Sequence, residues 1–139
     1  MAFSGSGAAA YRQMATRGGI EDASPHRLIA MLLDGALARL SHAKGLIGRG
    51  EIAEKGRVLS QAIDIVGELN GSLDHARGPE IAGRLASLYD YMSRRLLQAN
   101  SANDIAAIDE VAGLFREIRD GWNAVDPDSA SIRALAAVR

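Results

Sequence analysis

The sequence predicts an all-α protein, an antiparallel up-down-up-down four-helix bundle with a short N-terminal cap segment. Apolar residues recur at intervals of three and four along four long stretches, which is the spacing of one face of a helix. Short polar connections separate these stretches, and loops this short make consecutive helices antiparallel. The 139 residues contain neither the alternating pattern of a β-strand nor an internal repeat of fixed period.

The first helix is expected over about residues 25–47. Ser24 suits its N-cap, because the hydroxyl can accept a hydrogen bond from a free N–H of the first turn. Pro25 suits the position after the cap, where a missing N–H costs nothing. The apolar face is wide, so this helix is expected to contact apolar groups on two sides. Its regularly spaced residues are Ile29, Leu32, Ala36, Leu40, Ala43 and Ile47.

The other three helices are expected over about 51–75, 79–100 and 104–125. Gly48-Arg49-Gly50 predicts a tight turn after the first helix, and Gly78-Pro79 marks the end of the second. Either Asn103 or Asp104 can cap the fourth helix. Its apolar residues follow a regular heptad spacing, which is typical of packed helices. They are Ile108, Val111, Phe115, Ile118, Trp122 and Val125.

Three segments are expected in the chain. Residues 1–23 are interpreted as a flexible leader with a capping segment, 24–126 as the bundle, and 127–139 as a tail that is a short helix or disordered. The sequence SASIRALAAVR at 129–139 would be amphipathic as a helix, but a helix that short needs a surface to pack on. The apolar side of that helix would carry Ile132, Leu135 and Val138.

Composition excludes several classes of protein. Hydrophobic residues make up 47% and charged residues 24%, as in soluble globular domains. A net charge of -1 gives no electrostatic reason to bind nucleic acid or an anionic membrane. The absence of cysteine excludes disulfides, thiolate zinc sites and cysteine nucleophiles. Neither a membrane-spanning run nor a secretory signal is recognisable, so no membrane insertion and a cytoplasmic location are expected.

No catalytic or metal-binding arrangement stands out, and no cofactor is expected. Di-iron bundles use inward Glu-x-x-His pairs, and none of His26, His42 and His75 follows a glutamate at that spacing. Each of these histidines is expected at the surface or in a capping role. A phosphate-binding loop is also absent from the sequence. The sequence therefore favours a protein-binding module over an enzyme.

Glycine is unusually frequent inside the predicted helices, where each one costs about 0.5–1 kcal/mol relative to alanine. One interpretation is that the helices simply tolerate these residues. The other is that several lower the helix surface so that another chain can lie close in a groove. The glycines concerned are Gly35, Gly56, Gly67, Gly71, Gly83, Gly113 and Gly121.

Several stretches, taken in order, resemble the FliS family of flagellin-specific export chaperones. SPHRLIAMLLDGAL at 24–37, SQAIDIVGELNGSLD at 60–74 and GPEIAGRLASLYDYMSRRLLQAN at 78–100 carry the resemblance, with AYRQM at 10–14 before them. It covers about residues 10–125. The sequence departs from the family at Leu33, where an aromatic residue is common.

The resemblance implies a cytosolic chaperone that binds the disordered C-terminal segment of flagellin. It would prevent premature polymerisation and deliver flagellin to the flagellar type III export apparatus, with an export-gate component as a further partner. The family's N-terminal tyrosine segment, Tyr11 here, would cover an apolar pocket in the free protein. Doubled apolar stripes make five residues candidates for the partner groove, with core placement equally open for each. They are Leu28, Ile63, Val66, Tyr89 and Met92.

Two alternatives remain open. One is a regulatory or scaffold bundle that binds another flagellar export component or an anti-sigma component. The other is an enzyme or a metal-binding bundle.

Overall fold

The computed structural model describes residues 24–125, which form four α-helices joined by short connections. They are α1 (Pro25–Gly48), α2 (Ile52–Gly71), α3 (Pro79–Ala102) and α4 (Ile105–Ala124). With 24 residues in α1 and 20 in α2, these rods are about 36 and 30 Å long. The predicted all-α fold is confirmed. The expected leader with Tyr11 and the expected tail lie outside the described residues, and both stay predictions.

The four helices form a closed ring around one core. Each helix packs against the next one in the chain, and α4 returns to pack against α1. Because consecutive helices are antiparallel, the beginnings of α1 and α3 and the ends of α2 and α4 lie together at one end of the bundle. The opposite end carries the α1–α2 and α3–α4 connections. None of the helices in residues 24–125 has the length and apolarity needed to cross a bilayer.

The helix ends follow the capping chemistry of the sequence. The Ser24 hydroxyl accepts a hydrogen bond from the Arg27 N–H at 3.1 Å. Of the two candidates for the cap of α4, Asp104 is the one that is used, and Asn103 ends α3 instead. Asn103 ends α3 in a left-handed conformation with φ of 52°, and Asp104 begins α4 by accepting from the Ala107 N–H at 3.2 Å.

The predicted turn between α1 and α2 is also present. Gly50 has φ of +75°, a conformation that costs glycine little because it has no Cβ. Its N–H donates to the Ile47 carbonyl at 3.0 Å, and the next N–H, of Glu51, donates to Leu46 at 2.9 Å. These bonds satisfy carbonyls of the last turn of α1 that have no partner within the helix.

The end of α2 differs from the prediction. The helix ends at Gly71 rather than near His75. Ser72 donates its hydroxyl to the Leu69 carbonyl at 2.8 Å, and the Asp74 carboxylate accepts from the N–H groups of Ala76 and Arg77, each at 3.1 Å. Serine and aspartate compete with the helix through such local bonds, which the apolar periodicity does not report.

The apolar stripes of all four helices meet in one core. Each fully buried Leu, Ile or Phe contributes about 1.5–3 kcal/mol relative to an exposed position. The largest fully buried side chains are Phe115, Leu33, Leu40, Leu46, Leu59, Ile65, Leu69, Met92, Leu96, Ile108 and Val58. This core occupies the length of the bundle but does not fill the end where α1 and α3 begin.

Candidate partner-binding site

An apolar pocket opens at the bundle end where α1 and α3 begin, and it is termed the end pocket. Its volume is about 310 Å³. All four helices contribute walls, because the antiparallel arrangement brings their first or last turns together there. The lining residues are Ile29, Leu69, Ser72, Ile81, Leu85, Tyr89, Glu117, Ile118, Gly121 and Trp122.

The end pocket is large enough to receive side chains from outside the bundle. An apolar cavity of about 150 Å³ accepts a benzene ring, and small-molecule sites begin near 300 Å³. Ile81 is 42% exposed, so a large apolar side chain of the lining is in contact with water. Partner side chains that enter would remove this surface from water, which is favourable at about 25 cal/mol per Å².

Tyr89 forms a buried wall of the end pocket. It is 4% exposed, and burial raises the pKa of its hydroxyl to about 12. Desolvation disfavours the phenolate, so the side chain stays neutral at physiological pH. The wall therefore presents an uncharged ring to whatever enters the pocket.

His26 and Trp122 fix the α1–α4 side of the end pocket. The Trp122 indole N–H donates to the His26 carbonyl at 2.8 Å, and His26 Nε2 lies 3.0 Å from the Trp122 carbonyl. Their rings are stacked, with centroids 4.9 Å apart and 11° between the planes. This pair joins the first turn of α1 to the last turn of α4, and Trp122 also lines the pocket.

The prediction for the histidines needs correction at His26. His42 and His75 are exposed, as expected, but His26 is half-buried and stacked on Trp122. Its side chain contacts the Trp122 carbonyl in the last turn of α4, so the capping role that was expected is present but acts on a different helix. The two residues are 96 positions apart, so nothing local in the sequence indicates the pair.

The structure separates the predicted groove residues into three groups. Tyr89 lines the end pocket, whereas Leu28 and Ile63 are half-buried outside it. Val66 and Met92 are 1% and 0% exposed, so the structure gives these two the core placement that the sequence left open. Their side chains face the bundle axis, because they continue the same helix faces as the other core residues.

Most of the pocket walls come from residues that the sequence assigns to core stripes. Ile29, Ile81 and Leu85 lie in the first two turns of their helices, and Ile118 and Trp122 lie in the last two turns of α4. A stripe residue at the end of a bundle has fewer neighbours than one in the middle. The antiparallel topology shows which stripe residues lie at an end of the bundle, and it could have indicated these lining residues from the sequence. Helix periodicity alone does not give this position along the bundle.

Several of the helical glycines are not required by packing within the bundle. A Cβ added at Gly67, Gly83, Gly113 or Gly121 would meet nothing within 4 Å. At Gly56 it would meet only Asn100 Oδ1, at an ordinary contact distance of 3.8 Å. The interpretation that some of them make room for another chain stays a prediction.

A buried lysine joins α2 to α3 at the opposite end of the bundle. Lys55 is 3% exposed, and its ammonium donates to the carbonyl and to the side-chain Oδ1 of Asn100, both at 2.7 Å. The carbonyl belongs to the last turn of α3, where a helix favours positive charge. Among residues 24–125, no three metal-ligating side chains converge on a common point.

A polar network connects α3 and α4 on the bundle surface. The Tyr91 hydroxyl and the Arg95 guanidinium both donate to the carboxylate of Glu110, with 2.7 Å between Arg95 Nε and Glu110 Oε1. The Tyr91 hydrogen bond and then the Arg95 hydrogen bond lower the pKa of Glu110. The hydrogen bond to Glu110 raises the pKa of Tyr91.

A helical bundle with an open apolar end pocket is the architecture expected of a protein-binding module. The family model described as "Flagellar protein FliS" matches residues 7–129. This chain belongs to the FliS family.

Curated relatives agree over most of the chain. A flagellar secretion chaperone FliSB of Pseudomonas aeruginosa is 44% identical over 115 residues, which is 83% of this chain and 91% of the relative. A flagellar secretion chaperone FliS of Salmonella typhimurium is 44% identical over 129 residues, or 92% of this chain and 96% of the relative. The Bacillus subtilis FliS is 36% identical over 103 residues, covering 74% and 76% of the two chains.

Membership in this family makes the chain a non-enzymatic chaperone of flagellar protein secretion. The alternative of a regulatory or scaffold bundle is not favoured, since these relatives are named as secretion chaperones. Recognition of the family from the quoted stretches is confirmed.

Proposed function

We propose that this chain binds the disordered C-terminal segment of flagellin in the cytoplasm, prevents its premature polymerisation and delivers it to the flagellar type III export apparatus. The observation that carries the proposal is the end pocket, an open apolar cavity of about 310 Å³ in a member of a family of secretion chaperones. Delivery adds a second contact, between the loaded chaperone and a component of the export gate.

A disordered client suits a preformed bundle. An unfolded amphipathic segment cannot bury its own apolar stripe, and it gains order by laying that stripe on a second apolar surface. Coupled folding and binding commonly buries about 1,000–3,000 Å². That area exceeds what one end pocket offers, so the segment also runs along the sides of the bundle, where Leu28 and Ile63 are half-buried.

The candidate residues have different roles in this proposal. Tyr89 is a wall of the end pocket that the client touches. Val66 lies three residues before Leu69, and Met92 lies three residues after Tyr89, so both form the layer beneath the pocket. Tyr11 covers the pocket when no client is present, which keeps exposed apolar surface from promoting aggregation.

Calorimetric titration with the C-terminal segment of flagellin from the same genome tests the proposal. Ile81→Asp places a charge on an exposed lining residue and is expected to weaken binding at least about tenfold, because burying an unpaired carboxylate is costly. Ser41→Asp, on an exposed position of α1, is the matched control and should bind like the wild type. Ile63→Asp tests α2, and Tyr11→Ala should strengthen binding by removing a competing cover.

The outcomes separate the parts of the proposal. A wild-type protein that binds no flagellin segment overturns the function. Unchanged binding by a folded Ile81→Asp variant removes the end pocket from the site. Unchanged binding by an Ile63→Asp variant that keeps its helical circular dichroism removes α2.

A further inference from the structure

The end pocket contains a carboxylate that has no partner in the part of the chain that the structure describes. Glu117, in α4, is an exposed lining residue, and no hydrogen bond or ion pair within residues 24–125 reaches its side chain. Each of the other carboxylates in that range interacts with a polar or charged group, most often an arginine. Among these carboxylates, the unpaired one therefore belongs to the pocket.

The rest of the lining carries no charge that could compensate Glu117. It consists of apolar and aromatic side chains, the backbone of Gly121, and Ser72, whose hydroxyl donates to the Leu69 carbonyl. A partner chain that covers the apolar walls also removes part of the water around the carboxylate, and this desolvation is costly. The cost is offset when the partner brings a positive charge to the same place. The pocket therefore favours an occupant that is both apolar and cationic.

Gly121 leaves space beside Glu117. The two residues are four positions apart in α4, so they lie one turn apart on the same face of the helix, about 6 Å along its axis. A Cβ added at Gly121 would meet nothing within 4 Å, and the neighbouring Trp122 is a wall of the pocket. A partner helix can therefore lie close to α4 at Gly121 and present a residue one of its own turns away to Glu117.

We propose that the segment that enters the end pocket carries a basic residue three or four positions from an apolar anchor, and that this basic residue pairs with Glu117. The anchor fills the space between Ile81 and Trp122, and the basic side chain lies over α4. Arginine suits this place best, because its guanidinium can donate two parallel hydrogen bonds to one carboxylate while its stem covers apolar surface. The identity of the segment, the C-terminal segment of flagellin, rests on the function proposed above.

Calorimetric titration of charge variants with the C-terminal segment of flagellin from the same genome tests this pairing. Glu117→Gln keeps the shape of the side chain and removes its charge, and it is expected to weaken binding at least about threefold. Glu117→Lys brings like charges together and should weaken binding at least about tenfold. Glu51→Gln is the matched control and should bind like the wild type, because it makes the same change on an exposed residue at the opposite end of the bundle.

Replacement of the basic residues of the segment identifies the partner of Glu117. Each lysine or arginine is changed to glutamine in turn, and each altered segment is titrated against the wild type and the Glu117→Gln variant. The residue that pairs with Glu117 should lose most of its effect in the variant, because the effects of two groups in contact are not additive. An apolar residue should lie three or four positions from it. Additive effects at every basic residue overturn the pairing.

The other outcomes separate this pairing from the proposed function. If Ile81→Asp weakens binding but Glu117→Gln binds like the wild type, the pairing is overturned and the function stands. A wild-type protein that binds no flagellin segment overturns both. Tighter binding by Glu117→Gln would mean that a cation of this chain already occupies the carboxylate, and a changed oligomeric state of the variant would mean that a second copy does. Either result overturns the pairing.

Discussion

The imidazole of His26 lies flat on the indole of Trp122, and the side chain of each residue meets the main-chain carbonyl of the other. This pair closes the ring of helices at the end where the pocket opens, by joining α1 to α4. Because Trp122 is both a partner in the pair and a wall of the end pocket, the stability of the bundle and the shape of the pocket are coupled at this point.

Removal of the imidazole should destabilise the bundle. His26→Ala is expected to lower the free energy of unfolding by about 1–3 kcal/mol, from one hydrogen bond and one stacked ring pair. Urea unfolding followed by circular dichroism measures this change. Arg27→Ala, at the next and exposed position, should change it by no more than about 0.5 kcal/mol. Equal losses in the two variants would show that the pair contributes nothing specific.

Loss of the Asn100 side chain should destabilise the bundle more than replacement of the buried Lys55 itself. Asn100→Ala removes one acceptor from a buried ammonium and is expected to cost about 2–3 kcal/mol. Lys55→Met removes the charge but keeps the side-chain volume, and should cost less than about 1.5 kcal/mol. Denaturant unfolding of both variants gives the order. A Lys55→Met variant that is the less stable of the two contradicts this explanation.

The network of Tyr91, Arg95 and Glu110 between α3 and α4 should make the stability of the folded protein depend on pH. Hydrogen bonds from Tyr91 and Arg95 hold the pKa of Glu110 below the ordinary value of 4.5. Because folding lowers the pKa of this carboxyl, its ionised form stabilises the folded protein at pH values above the ordinary pKa of 4.5. That contribution is lost as the pH falls through the lowered pKa. Glu110→Gln should therefore lower the melting temperature near neutral pH, and by less well below pH 4.5.

Thermal melts at several pH values check this dependence. Glu80→Gln is the control, because the Glu80 carboxylate pairs with Arg84 of the same helix. A destabilisation by Glu110→Gln that is the same at neutral and acid pH would rule out the network as its source.

An alanine in place of a glycine near the end of α2 should stabilise the free protein. At Gly67 an added methyl group meets open space, so Gly67→Ala should raise the free energy of unfolding by about 0.5–1 kcal/mol. Gly50→Ala should instead be destabilising, since its φ of +75° strains a residue that has a Cβ. Chemical denaturation compares the two.

Binding of the flagellin segment by Gly67→Ala then tests why glycine occupies this position. If the glycine makes room for another chain, the more stable variant should bind more weakly than the wild type. Unchanged affinity would favour the interpretation that the helix merely tolerates it.

The amino-acid sequence by itself determined the fold class, the four helices and most of their ends. Apolar residues at intervals of three and four, Ser24 and Asp104 as caps, and Gly50 in its turn are local signals, and each acts within a few residues of the structure that it specifies. The early end of α2 was missed because Ser72 and Asp74 form local hydrogen bonds that compete with the helix and leave no trace in the apolar pattern.

Only the tertiary structure decided which apolar residues line the end pocket. Met92 and Tyr89 share one helix face and are both buried in the core, yet Tyr89 also lines the end pocket and Met92 does not, because depth along the bundle axis depends on all four helices together. The pairs His26–Trp122 and Lys55–Asn100 likewise join residues 96 and 45 positions apart. Helix periodicity specifies direction around a helix, whereas such contacts depend on how the helices are placed relative to one another.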